Sequence, residues 1–194
     1  MKVAVVDYPA GNIRSVFYAL ERLGAEGQLT AKPEEILSAD RVIFPGVGEA
    51  STTMASLNET GLSEVIKQVK APFLGICLGL QLMCESSEEA ETKGLGILPA
   101  KVKRFNGELK VPQMGWNKLE DLKGPLFEGL AEDKFVYFVH SYFAEVVEQT
   151  VASAQYGERF SAALSKDNFY AMQFHPEKSA DVGAQILKLS LIHI

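Results

Sequence analysis

The chain has 194 residues, 47% of them hydrophobic, and a formal net charge of −6, which is material for one full-sized core and an expected single domain over residues 1–194. Its Lys and Arg are scattered, the densest group being Lys101, Lys103 and Arg104, read as a solvated strand edge; this excludes the clustered basic surface that a nucleic-acid backbone requires. Two cysteines make no disulfide framework, no apolar run approaches the ~18 residues of a membrane span, and the first residues lack a leader's cleavage pattern, so the expectation is a cytoplasmic protein with no membrane partner.

Residues 2–7 read as a strand, and residues 12–23 carry Ile13, Val16, Phe17, Leu20 and Leu23 at helical spacing until Gly24 stops the helix. A strand over 25–29 follows. Pro33 then sits where a first-turn proline belongs and opens a short helix through Leu37. Residues 41–44 form a short buried strand that ends in Pro45-Gly46-Val47-Gly48. Helical patterns over 50–57 and 62–69 lead to an apolar strand over 71–76, and residues 78–85 start another helix. Repeated strand–helix units imply a three-layer α/β fold, flavodoxin-like, with a mostly parallel central sheet and helices on both faces. Ligands of such sheets bind at the carboxyl ends of strands, where both Gly46-Val47-Gly48 and Cys77 fall.

After about Gly94 the pattern changes. Residues 101–105, 135–140, 151–156, 162–164 and 169–174 read as further, antiparallel strands joined by short turns, and residues 180–191 as a closing amphipathic helix. There is no repeat, linker or low-complexity tract.

The segment Gly75-Ile76-Cys77-Leu78-Gly79-Leu80-Gln81 has the strand–turn–helix form of a nucleophile elbow, with Cys in the place of Ser. Glycines flank the cysteine because the turn is sharp and a Cβ on either side would clash. At the start of a helix, Cys77 meets the positive end of the helix dipole, which favours an anionic nucleophile. Cys84 reads instead as a small core residue. Downstream, His175 ends an apolar strand, Pro176 stops further pairing, and Glu177 can fold back onto the imidazole. Nucleophile, base and orienting group follow in the order Cys77, His175, Glu177. The Val47 and Gly48 backbone can aim an N–H at a developing oxyanion, with the N–H of Leu78 as the second donor. His140-Ser141-Tyr142 reads as a buried turn, Met114-Gly115-Trp116-Asn117 as packing and a turn, and Glu85, Glu88, Glu89 and Glu91 as a solvated surface of which one member can bind an ammonium group.

Gly-x-Cys-x-Gly-x-Gln together with Gln173-Phe174-His175-Pro176-Glu177 resembles the class I (triad) glutamine amidotransferases. Within that class, Asp7-Tyr8, Gly11-Asn12-Ile13, Pro45-Gly46-Val47-Gly48, Met114-Gly115-Trp116-Asn117, Phe138-Val139-His140-Ser141-Tyr142 and Lys178-Ser179 are similar to the glutaminase subunits of histidine biosynthesis. The likeness runs from end to end with two departures: Gln113 stands where the family usually has His, and the apolar tail beyond Lys188 differs from the family's usual ending. The resemblance implies glutamine hydrolysis through a Cys77 thioester with no cofactor and no metal. It implies contacts from Gln81, Glu89, Ser141 and Tyr142 to the amino-acid end of glutamine. It also implies a heterodimer with a separate cyclase, built as a (β/α)8 barrel and contacted by Asn12, Tyr137 and Lys178. A glutaminase serving anthranilate or pyridoxal phosphate synthesis is the nearest alternative. A cysteine peptidase or chaperone-like elbow protein is disfavoured by His-Pro-Glu and Gln81, and a non-catalytic binding module by the filling of all three triad positions.

Overall fold

The computed structural model describes residues 1–9, 13–107, 109–131 and 133–192; the expected interface residue Asn12 lies outside the described residues. Strands β1 (Val3–Val6), β2 (Gly27–Thr30), β3 (Arg41–Phe44) and β4 (Phe73–Ile76) alternate with helices α1 (Arg14–Arg22), α2 (Pro33–Leu37), α3 (Ala50–Glu59), α4 (Leu62–Gln68) and α5 (Leu78–Met83). The remainder supplies β5 (Ser86–Ser87), β6 (Thr92–Lys93), β7 (Lys101–Arg104), β8 (Gln113–Lys118), β9 (Phe135–His140), β10 (Tyr142–Ala144), β11 (Thr150–Tyr156), β12 (Glu158–Lys166), β13 (Phe169–Met172) and the helix α6 (Ala180–Ile192).

One 11-stranded sheet runs in the order β2-β1-β3-β4-β13-β12-β10-β7-β5-β6, with β11 alongside β12; β8 and β9 form a separate two-stranded ribbon. The strands β2, β1, β3, β4 and β13 are mutually parallel. Their carboxyl ends therefore share one edge of the sheet, and that edge carries the site. Beyond β13 the sheet turns antiparallel at β12, β10 and β7.

The parallel strands are apolar on both faces because both faces are covered. Along β1, Val3 and Val5 join a core closed by Val16 and Leu20 of α1 and by Ile186, Leu187 and Leu191 of α6. Ala4 and Val6 point the other way, to Ile36 of α2, Leu57 of α3, Ile66 of α4 and Leu80 of α5. The result is the expected three layers. Burying each such Leu, Ile or Val contributes about 1.5–3 kcal/mol, and this fixes which way every strand faces.

Five local expectations need correction. The strand read at 162–164 is the nine-residue β12, because pairing with β11 on one side and β13 on the other carries the backbone past the end of the apolar run. Residues 113–118 are a strand and not a turn, paired along their length with β9, and Tyr142–Ala144 is likewise a strand. The basic trio on β7 is not at an edge, since β7 lies between β10 and β5, and Lys103 pairs with Glu145 at 2.8 Å. The helix begun at Leu78 stops at Met83, with Cys84 already extended and fully buried. Among the described residues no helix is long and apolar enough to cross a membrane.

Candidate active site

The site grows out of strand register. Phe44 lies opposite Gly75 and Met172 opposite Ile76, so the chain leaves β3, β4 and β13 at one level. Cys77 is the first residue past β4, at φ 53° and ψ −106°. That left-handed φ is rare for a residue with a Cβ. It is held by the Cys77 N–H donating to the Met172 carbonyl at 2.8 Å. The flanking glycines are steric necessities: a Cβ on Gly79 would come within 2.1 Å of the Phe44 carbonyl oxygen, and one on Gly75 within 2.5 Å of the Met83 sulfur.

His175 stands three residues past β13, tied to the β8–β9 ribbon by its N–H on the Tyr137 carbonyl at 2.9 Å. Pro176–Lys178 makes a single tight helical turn that folds Glu177 back, and Glu177 Oε1 meets His175 Nδ1 at 2.8 Å with both side chains buried. Nε2 of the ring and Oε2 of the carboxylate are buried without hydrogen-bond partners. Burial opposes a charge on the imidazole, but the Cys77 sulfur and the Glu177 carboxylate more than offset it, and the pKa of His175 is raised. The sulfur acts on the ring through its proximity, since Nε2 and Sγ do not meet hydrogen-bond geometry in this resting arrangement.

Cys77 and His175 open onto one cleft of about 310 Å³, also lined by Val47, Gly48, Leu78, Gln81, Glu89, Ser141 and Tyr142. All the expected nucleophile, base, oxyanion and substrate positions except Glu177, which stands behind the imidazole, therefore line a single concavity. Tyr137 is half-buried on the ribbon, and Lys178 is exposed on the turn after Glu177. The Leu78 N–H points to the Gly46 carbonyl at a long 3.4 Å, and Gly48 has φ 123°.

At the far wall, Gln81 Nε2 donates to the Tyr142 carbonyl at 2.9 Å and to Gln173 Oε1 at 3.0 Å. Both of its amide hydrogens are thereby engaged, leaving Oε1 as an acceptor for a ligand. Glu89 is half-buried rather than part of a free solvated run, and its Oε2 accepts the Ala50 N–H at 2.7 Å at the start of α3. The adjacent Ala90 and Glu91 both take positive φ, 51° and 50°, a strained bend that carries Glu89 to the cleft.

Three participants lie in segments that carry the resemblance, but the sequence assigns them no role. The Val139 carbonyl lies 3.9 Å from Cys77 Sγ, and only the ribbon register could have revealed it. Buried Tyr8 donates to the Pro45 carbonyl and holds the glycine loop; burial, with a smaller contribution from Cys77, raises its pKa. Gln173 is wholly buried, and its signal was a polar residue in an otherwise apolar strand run.

A family model described as glutamine amidotransferase class-I matches residues 4–194. Among curated proteins, the "Imidazole glycerol phosphate synthase subunit HisH" of Bacteroides fragilis strain YCH46 is 58% identical, over 97% of this chain and 97% of that one. The protein of the same description from Gloeobacter violaceus is 47% identical over 96% and 87% of the two chains, and that from Haemophilus influenzae 44% over 97% and 96%. Among solved structures, a glutamine amidotransferase from Thermotoga maritima aligns with a TM-score of 0.68 at 17% identity, covering 98% of this chain and 96% of that one.

Proposed function

The chain belongs to the class-I glutamine amidotransferase family, and we propose that within it the chain is the glutaminase subunit of imidazole glycerol phosphate synthase. In this reading it hydrolyses glutamine and passes the ammonia to a separate cyclase with a (β/α)8 barrel. The cyclase uses the ammonia to form imidazole glycerol phosphate and aminoimidazole carboxamide ribotide, in a cytoplasmic heterodimer. The observation that supports the hydrolysis is a strained Cys77 in the same cleft as a His175 already paired with Glu177, and the choice of complex is supported by the near full-length similarity to subunits of that description.

The Cys77 thiolate attacks the side-chain amide carbon of glutamine, forming the C–S bond and placing negative charge on the amide oxygen. The Leu78 N–H and the Val47–Gly48 backbone stabilise that oxygen. Protonated His175 gives its proton to the departing nitrogen, the C–N bond breaks, and ammonia leaves a γ-glutamyl thioester. Neutral His175 then takes a proton from water, whose oxygen attacks the thioester carbon. Glutamate and the thiolate are released, and His175 is protonated again. Glu177 holds the imidazole through Nδ1 throughout.

At the other end of the substrate, the free Oε1 of Gln81 and the carboxylate of Glu89 are both acceptors. They suit the α-ammonium group, and the Ser141-Tyr142 backbone suits the α-carboxylate. Tyr137, Lys178 and Asn12 are proposed to meet the cyclase.

The same geometry suggests that the isolated chain is restrained. The Gly46 carbonyl faces the Leu78 N–H, where an oxyanion would bind, and the glycines of the loop permit a peptide to turn. Docking of the liganded cyclase is proposed to turn it. The test is glutaminase activity of wild type and Cys77→Ala, each with and without the cyclase and its nucleotide ligand. Wild type should release ammonia mainly in the liganded complex, and Cys77→Ala should release none. Cyclase-independent turnover at full rate would refute the restraint, and activity in Cys77→Ala would refute the nucleophile.

A further inference from the structure

Gln173 leaves β13 at the point where Cys77 leaves β4. The register places Met172 opposite Ile76, so the next residue on each strand is Gln173 and Cys77. Gln173 is 0% exposed and its side-chain amide has two partners. Its Oε1 accepts from Gln81 Nε2 at 3.0 Å, and its Nε2 donates to Cys77 Sγ at 3.7 Å. The orientation of the amide follows from its neighbours. The Tyr142 carbonyl can only accept, so Gln81 presents its NH2 there and, with the second hydrogen, to Gln173. Gln173 must then meet Gln81 with its oxygen, and its own NH2 is left facing the sulfur. A buried amide costs free energy unless its polarity is satisfied, and Met would fill the same volume without that cost.

From this we infer that Gln173 is a catalytic residue, its NH2 donating a hydrogen bond to the Cys77 sulfur that stabilises the charged nucleophile. The inference rests on Cys77 being the nucleophile. A thiol is a weak acceptor, whereas a bond to a sulfur anion is charge-assisted, so the amide favours the thiolate. Its hold weakens when the sulfur becomes a neutral thioester and returns when the thiolate departs. The same amide fixes which atom of Gln81 faces the substrate. His175 and Tyr8 are titratable groups coupled to the same sulfur. Glu177 holds the far nitrogen of that imidazole, and His140 interacts with His175.

The test is iodoacetamide alkylation of Cys77 in the full chain, read by mass spectrometry at its own peptide across pH. It compares wild type, Gln173→Met and Gln81→Met, with kcat and KM for glutamine measured in the complex. In Gln173→Met the alkylation profile should move to higher pH by about one unit, the size of one charge-assisted bond, and kcat should fall by about tenfold or more. Gln81→Met removes the partner of the Gln173 oxygen but keeps the NH2 that the sulfur anion itself attracts, so its alkylation profile should move less than that of Gln173→Met while KM rises. An unshifted profile in Gln173→Met overturns the inference, as does an equal shift in Gln81→Met. A Gln173→Met chain that does not fold assigns the residue to the core and overturns it as well. Activity retained by Cys77→Ala is a different failure, since it removes the nucleophile on which the inference rests.

Discussion

The Ser179 hydroxyl donates to the His175 carbonyl at 2.7 Å and accepts the N–H of Tyr137 at 2.9 Å, while the His175 N–H returns to the Tyr137 carbonyl at 2.9 Å. The loop so closed ties the base to the ribbon strand β9. Ser179→Ala breaks it and leaves the Tyr137 N–H without its acceptor. The expected cost is about 1–3 kcal/mol of stability, measured by urea unfolding. A drop of roughly tenfold in kcat should accompany it, the loss expected when a positioned acid–base group is loosened. KM should hold, because Gln81 and Glu89 stand on other elements. A KM effect without a kcat effect would show that Ser179 does not position His175.

Two glycines of the oxyanion loop should behave differently. A Cβ on Gly46 would lie 2.7 Å from Leu78 Cβ and from the Tyr8 hydroxyl, and 2.8 Å from the Gly79 nitrogen. Leu78 and Gly79 cannot withdraw without moving the elbow. Gly46→Ala should therefore lower thermal stability and abolish glutaminase activity together. Gly48 has open space around its Cβ position but φ 123°, so Gly48→Ala biases the loop by about 1–3 kcal/mol of backbone strain. It should melt within a few degrees of wild type while losing partner-stimulated activity. Equal melting shifts in the two variants would contradict this division.

How much of this is legible in the sequence follows from where periodicity speaks. The parallel half reads closely because its strands are continuous apolar runs and its helices carry stops such as Gly24 and Pro33. The ribbon strand β8 escapes notice because Gln113, Met114, Gly115 and Trp116 have one face toward solvent and a glycine in the middle, which reads as a turn. Its strand character comes from pairing with β9, a tertiary fact. From its own pattern Glu89 is one of four acidic residues, and only the family resemblance picks it out; the bend at Ala90 that brings it to the cleft leaves no pattern. Gln173 lies inside a recognisable motif, yet its contact with Cys77 depends on the β4–β13 register, which no local signal encodes.

His140 makes a pH prediction. It is packed among Phe105, Phe138 and Phe160, and its Nδ1 sits 2.7 Å from the Tyr142 carbonyl and its Nε2 2.9 Å from the Gln113 side chain. Burial is the main force moving its pKa from 6.5 down to about 4; the Tyr142 carbonyl opposes the shift and His175 adds to it. The neutral ring must donate to the carbonyl, so the Gln113 amide meets Nε2 with its NH2 after a half-turn. Between about pH 4 and 6.5 the unfolded chain binds a proton at this residue that the folded chain does not, so stability falls as pH falls through that window. From pH 7 to pH 5 the loss is about 2 kcal/mol. His175, whose pKa is raised, loses its contribution above 6.5 and does not mask the effect. In urea unfolding, His140→Gln should show a shallower loss over the same interval. Parallel slopes would mean that the histidine is not held neutral.

The single tryptophan of the chain reports on the proposed partner face. Trp116 is 54% exposed, as are Met114 at 65% and Phe135 at 51%. Register places Trp116 opposite Tyr137, Met114 opposite Val139, and Lys118 opposite Phe135, so these side chains share one face of the ribbon. Trp116 and Tyr137 meet edge-on at 6.1 Å. An exposed aromatic strip of this kind is costly to leave in water and suits a protein interface, and the backbone beneath it supplies the Val139 carbonyl at Cys77. Adding the cyclase should shift the tryptophan emission to shorter wavelength and protect it from acrylamide. Trp116→Ala should weaken the complex by about tenfold or more, the scale of an aromatic anchor, while the isolated chain melts as wild type. An emission spectrum that does not change in a saturated complex would place the cyclase elsewhere, because no partner can cover this ribbon and leave a half-exposed indole in water.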